Sequence, residues 1–180
     1  MNEFDEFCTE LLEESKRFFE KSKEENDPEA QKAYNNASLL LAICALEAYI
    51  NGISEEICLA HGYPLQIKSA LLEKEIRLEN GEFALSGSLK MSRLIDRIEI
   101  IYRKHMQRPI SDSEEWWIDL KQGIDYRNRL VHPKDALNIS IEMLERVIRA
   151  VIGCLTALYK AVYKRKFPKG TATITSSMTF

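Results

Sequence analysis

Residues 137–162 read LNISIEMLERVIRAVIGCLTALYKAV. Leu137, Ile141, Leu144, Ile148, Val151, Leu155, Leu158 and Val162 recur at alternating steps of four and three. That spacing keeps all of them on one helical face and predicts a single long helix packed along its length. The same rhythm runs through Leu39, Ile43, Leu46, Ile50, Ile53 and Ile57 and predicts a second long helix from Glu29 to Ala60, with Pro28 suited to its first turn. Outward from these seams, residues 3–25 read as a helix with Phe4, Phe7, Leu11, Phe18 and Phe19 as its apolar positions. Residues 65–78 and 89–107 read as shorter helices, and Ser113 to Val131 as another. Ser111 with Glu114, or Asp112 with Glu115, supplies its N-terminal capping pair. Asn80-Gly81 and Gly87 mark an irregular stretch or small hairpin near 79–89. The expected fold is all-α: an antiparallel helical bundle of four or five main helices, one domain over residues 1–170. A flexible Thr- and Ser-rich tail at 171–180 frays or is borrowed by a neighbouring molecule.

The chain has 180 residues, 45% hydrophobic and 29% charged, which is ordinary globular composition and enough for one core. Its net charge of −3 excludes a generally basic nucleic-acid coat protein. The charge is uneven. Residues 1–30 carry 11 acidic and 4 basic side chains, and residues 121–180 carry 11 basic and 4 acidic. A basic final third suits an anionic partner, and equally a solvated face that complements helix dipoles. Cys8, Cys44, Cys58 and Cys154 form no CxxC and read as small core hydrophobes. The start, MNEFDEF, has no apolar signal region. The best apolar run, Ala150 to Tyr159, is about half of a membrane span. A reduced, cytoplasmic protein with no membrane partner is expected.

The helix before Pro133 departs from its own pattern. Its stripe is Trp117, Leu120, Ile124, Arg127, Val131, so a guanidinium fills an apolar slot and needs an acceptor there. The second helix has a matching departure, where a row beginning Leu40 and Cys44 turns polar at Glu47 and Asn51. Glu47 or Asn51 is the expected partner of Arg127. Such a pair can simply fix helix register. Asn128 and His132, four apart, share a helical face. Arg127 and His132, five apart, stand about 140° round an ideal helix. They converge only if the helix end relaxes or a second subunit contributes. His61, His105 and His132 show no metal-ligand spacing, and there is no phosphate-binding glycine loop. No metal or cofactor is expected. Arg103, Lys104, His105 and Arg108 form one basic cluster and Lys164, Arg165, Lys166 and Lys169 another. Each is either a solvated helix end or a track for a phosphate backbone. Of Trp116 and Trp117, one should face the core.

The segment Arg127-Asn128-Arg129-Leu130-Val131-His132 resembles the Rx4-6H motif of HEPN domains. LLAICALEAYINGI at residues 40–53 resembles the HEPN helix whose polar residue faces that motif. The helix order is similar as well, so the resemblance covers roughly residues 1–167. Residues 61–110 match nothing in it and leave the subfamily open. The resemblance implies metal-independent cleavage of RNA by a homodimer whose two motifs meet at the interface. Arg127 and His132 would be the catalytic pair with Asn128 beside them, and Glu47 and Asn51 would support them. Arg129, Lys134, Arg103, Lys104 and Arg108 would be further RNA contacts. The implied role is a toxin or a defence or stress effector, with a possible cognate antitoxin. The alternative is a non-catalytic HEPN-like module that dimerises or binds a nucleotide or partner.

Overall fold

The computed structural model describes residues 3–168; the tail expected at 171–180 lies outside them. Among the described residues the chain forms α1 (Glu3–Glu24), α2 (Pro28–Ala60), α3 (Leu65–Leu72), β1 (Lys74–Glu79), β2 (Glu82–Leu89), α4 (Leu94–Met106), α5 (Glu115–Val131) and α6 (Ile141–Tyr163). The fold is all-α with one small two-stranded hairpin.

The two 4-3 seams place α2 and α6 at the centre. Leu39, Ile43, Leu46, Ile50, Ile53 and Ile57 are all buried, as are Leu144, Ile148, Val151, Leu155 and Leu158. The two helices run in the same direction. Asn35 donates to the Ile139 carbonyl at 2.8 Å near one end, and the Tyr163 hydroxyl donates to Glu56 near the other. α1 folds back antiparallel along α2. Where they touch, Ser15 and Ser38 each donate a hydroxyl to the other's backbone carbonyl, both at 2.8 Å. α5 lies antiparallel on α6, with Trp116 over Gly153 and Val147 against Gly123. α4 runs the same way as α2, its Arg97 beside Asn51 and its His105 beside His61.

Several boundaries differ from expectation. Residues 74–79 are strand, not the end of a helix. α3 stops at Glu73, whose φ of 53° is left-handed. Asn80 and Gly81 then both take positive φ, 51° and 86°, as a two-residue hairpin turn requires. α4 starts at Leu94, because Lys90 and Ser92 donate backbone N–H groups to Glu73 and hold the strand exit against α3. α6 starts at Ile141, not Leu137. Ser140 caps it by accepting from the Met143 N–H at 3.2 Å. Neither capping pair foreseen for α5 forms. Its cap is Glu114, without a side-chain bond, while Ser111 accepts from the Ser113 N–H and Asp112 pairs with Lys121.

The buried face of α1 is Cys8, Thr9, Leu12, Ser15, Lys16, Phe19 and Ser22, whereas Phe7 is 51% exposed. A phenylalanine on that outer row marks no core position; the small residues that let α1 approach α2 do. Cys8, Cys58 and Cys154 are buried as expected, but Cys44 is exposed. α2 is itself long and apolar enough to cross a membrane by length and composition, against the expectation that the best apolar run lies at Ala150 to Tyr159. Most of that window is buried by the rest of the bundle.

Candidate functional site

α5 leaves the core as it proceeds. Trp117, Leu120 and Ile124 are buried, whereas Val131, the last member of the stripe, is 48% exposed. Arg127 stands at that emergence. Its Nη2 donates to Glu47 Oε1 on α2. The Arg127 side chain is 22% exposed and that of Glu47 38%, so the pair is half-buried and keeps an open side. Arg127 Nε has no hydrogen-bond partner among the described residues.

One turn on, the helix ends. Asn128 and Arg129 are exposed, and so are His132 and Lys134 beyond them. His132 is the C-cap: its backbone N–H donates to the Asn128 carbonyl at 2.8 Å, but its φ of −123° and ψ of 68° have left helical geometry. An anchored cation is thus followed by an exposed amide and an exposed imidazole on a relaxed helix end. Cys44 borders the same pair. Its thiol titrates above the ordinary range, first because surrounding protein strips water from it and then because of the Glu47 charge, with Arg127 opposing.

Asn51 does not serve Arg127. It accepts from Arg97 Nη2 at 2.7 Å. Arg97, on α4, also donates to Glu73 at 3.1 Å and to Ser54 at 3.5 Å, and its side chain is 5% exposed. Burial lowers its pKa, while the Glu73 and Glu47 charges raise it. Glu47, Asn51 and Ser54 thus form a polar edge along α2 that grips one arginine from α5 and another from α4. The sequence held a signal for Arg97. It falls between Leu94 and Ile101 at the 3-4 spacing of a buried stripe, the same departure that singles out Arg127.

The other predicted RNA contacts lie apart from the motif. Arg103, Lys104 and Arg108 are exposed near the end of α4. Arg108 pairs with Glu114 at 3.6 Å and lies over the Tyr102 ring. The neighbouring His105 contacts His61, at the C-cap of α2, with ring centroids 5.6 Å apart. Glu47 and His61 are separated by about 21 Å along the axis of α2. His105 Nε2 also lies 3.2 Å from the Tyr63 hydroxyl. Burial holds its pKa below the usual imidazole value, and the charges of His61 and Lys164 act in the same direction. His61 and His105 show no metal-ligand spacing in the sequence, yet their rings are in contact. Among the described residues no three His, Cys, Asp or Glu side chains are grouped to hold a metal ion. Trp117 is the core tryptophan and Trp116 is half-buried over α6. No family model, curated protein or solved structure matches the chain.

Proposed function

We propose that this chain is a metal-independent endoribonuclease of the HEPN type, acting as a homodimer in a toxin, defence or stress role. The observation that carries the reading is a guanidinium tethered by Glu47, next to an exposed Asn128 and five residues before an exposed His132 on a non-helical cap. An ideal helix would hold Arg127 and His132 about 140° apart. The departure from helical geometry at His132 supports the reading that the helix end can relax towards such a convergence.

The chemistry suits those groups. An imidazole accepts the proton of a ribose 2′-OH near neutral pH. The freed oxygen attacks the adjacent phosphorus, and the 5′-oxygen leaves as it takes up a proton. The products are a 2′,3′-cyclic phosphate and a 5′-hydroxyl. Arg127 stabilises the charge on the phosphorane oxygens, and Asn128 orients a phosphate oxygen or the imidazole. Two motifs across a two-fold axis supply one imidazole as base and another as acid. The need for a 2′-OH restricts cleavage to RNA.

Purified protein with mixed RNA and EDTA tests this. Wild type should yield cyclic-phosphate ends, and His132→Ala should abolish cleavage with its circular dichroism unchanged. Cleavage that survives in His132→Ala, or that requires added Mg²⁺, would refute the mechanism. A monomer by light scattering at assay concentration would count against the dimer. The ion pair itself favours a second reading: a carboxylate already answers the Arg127 charge, as it would in a non-catalytic HEPN-like module. An inactive wild type that still binds a nucleotide or partner would select that reading.

A further inference from the structure

Three helices end side by side. α2, α4 and α6 run in the same direction, and their last residues are Ala60, Met106 and Tyr163. The rings of His61 and His105 meet there with centroids 5.6 Å apart, and the Lys164 charge bears on His105. The segments brought together are 57–72, 100–111 and 157–168. They hold eight lysines and arginines and no aspartate or glutamate, in a chain whose net charge is −3. In the sequence these cations fall in separate clusters, and the fold joins them.

Part of this charge answers the helix ends. Each C-terminus carries roughly −0.5 of an elementary charge, so three of them call for about 1.5 positive charges. Lys164 serves in that way, because its ammonium donates to the Ala161 carbonyl at 2.7 Å. Of the eight cations, Arg108 alone has an ion-pair partner among the described residues, Glu114 at 3.6 Å. The basic surface stops at Glu55 and Glu56, which share a cavity with Arg165. Arg165 itself lies over the rings of Tyr159 and Tyr163. Arg103, Lys104 and Lys166 are exposed and leave a positive surplus beyond what the helix ends call for.

The same surface carries aromatic rings. Tyr63 packs on His61 with centroids 5.4 Å apart, and its hydroxyl lies 3.2 Å from His105 Nε2. His61 is exposed and Tyr63 half-buried. Cations without carboxylate partners beside accessible rings suit a single-stranded nucleic acid, whose phosphates take the cations and whose bases stack on the rings.

We propose that this end of the bundle binds single-stranded RNA at a surface separate from the Arg127–His132 motif. Phosphates lie on Arg103, Lys104, Lys164 and Lys166, and a base stacks on His61. Along the axis of α2 the surface is about 21 Å from Glu47. The choice of RNA as ligand rests on the proposed function, whereas binding here does not require His132.

Fluorescence anisotropy with a 2′-O-methyl oligonucleotide of about 12 residues tests this, because a blocked 2′-oxygen cannot attack its phosphate. Wild type should bind, with log Kd rising against log salt at a slope near 3, about 0.7 for each of the phosphates contacted. Lys104→Glu with Lys166→Glu should weaken binding at least about tenfold at about 0.1 M salt and flatten the slope by about 1.4. His61→Ala should weaken it about fivefold or more with the slope unchanged. Lys32 and Lys90 are exposed outside these segments. Lys32→Glu with Lys90→Glu makes the same change in net charge and should weaken binding less than about threefold. Wild type that binds in this way but leaves unblocked RNA intact would keep the surface and refute the cleavage. No binding by wild type would overturn the surface, as would equal losses in the two charge-reversed pairs or wild-type binding by His61→Ala. Equal competition by polyglutamate would also overturn it, by marking a general anion patch.

Discussion

Removing the Glu47 carboxylate probes both the fold and the proposed site. Exposed ion pairs contribute about 0.2–1 kcal/mol, and breaking a buried pair costs about 3–5 kcal/mol. The Arg127 and Glu47 side chains are 22% and 38% exposed, so the pair falls between these limits. Glu47→Ala should therefore cost about 2 kcal/mol. In a chain of 180 residues that lowers Tm by roughly 4–8 °C. Arg127→Met keeps the aliphatic stem and removes the charge, so it should cost less. In the double variant the orphaned cation is gone, and much of the Glu47→Ala penalty should be recovered. Thermal unfolding of the four proteins by circular dichroism gives the coupling energy. A value below about 0.5 kcal/mol, the scatter expected of independent sites, would show that the pair holds nothing. In the cleavage assay Glu47→Gln, which keeps an acceptor for Arg127, should lower kcat more than it raises KM. On the proposed mechanism, Glu47 would position a group whose main interaction develops on the phosphorane.

The same physics applies elsewhere in the bundle. Arg97→Met should shift the urea midpoint by an amount corresponding to about 3 kcal/mol, the low end for a buried pair, because it strands Glu73, whose side chain is 21% exposed; a loss under about 1 kcal/mol would show that water already serves these groups. Gly153→Ala should destabilise by about 1–3 kcal/mol through overpacking. Its new Cβ would lie 2.7 Å from Trp116 Cβ, which no side-chain rotation can move away. Helix propensity favours Ala by about 1 kcal/mol, so a stabilised variant would show that α5 yields freely.

Stability should also fall on acidification. Burial, then His61 and Lys164, hold the His105 pKa below its ordinary value. The unfolded chain therefore takes up a proton below about pH 6.5 that the folded chain resists. The contribution is complete above that pH and is lost as pH falls towards the folded value. Urea midpoints at pH 7.5 and 5.5 should differ less in His105→Gln, which keeps an acceptor for Tyr63, and equal differences would assign the effect to other groups.

The sequence by itself determined the centre of the bundle. The seams at Leu39–Ile57 and Leu144–Leu158 repeat often enough that only a helix buries every member. It also marked Arg127 as anomalous and named Glu47 as a partner, because a charge in an apolar slot must be answered across the nearest helix. Periodicity says which face is covered but not by what. Whether Asn51 meets Arg127 or Arg97 depends on how α4 and α5 are rotated against α2, and the structure gives it to Arg97. The contact of His61 with His105 arises from the shared direction of α2 and α4, which no local pattern encodes. Cys44 sits one turn before Glu47 on an apolar row yet is exposed. Val131 continues the stripe of α5 and is exposed too. In each case the residue has the chemistry of a core position, and the neighbouring helix has already turned away.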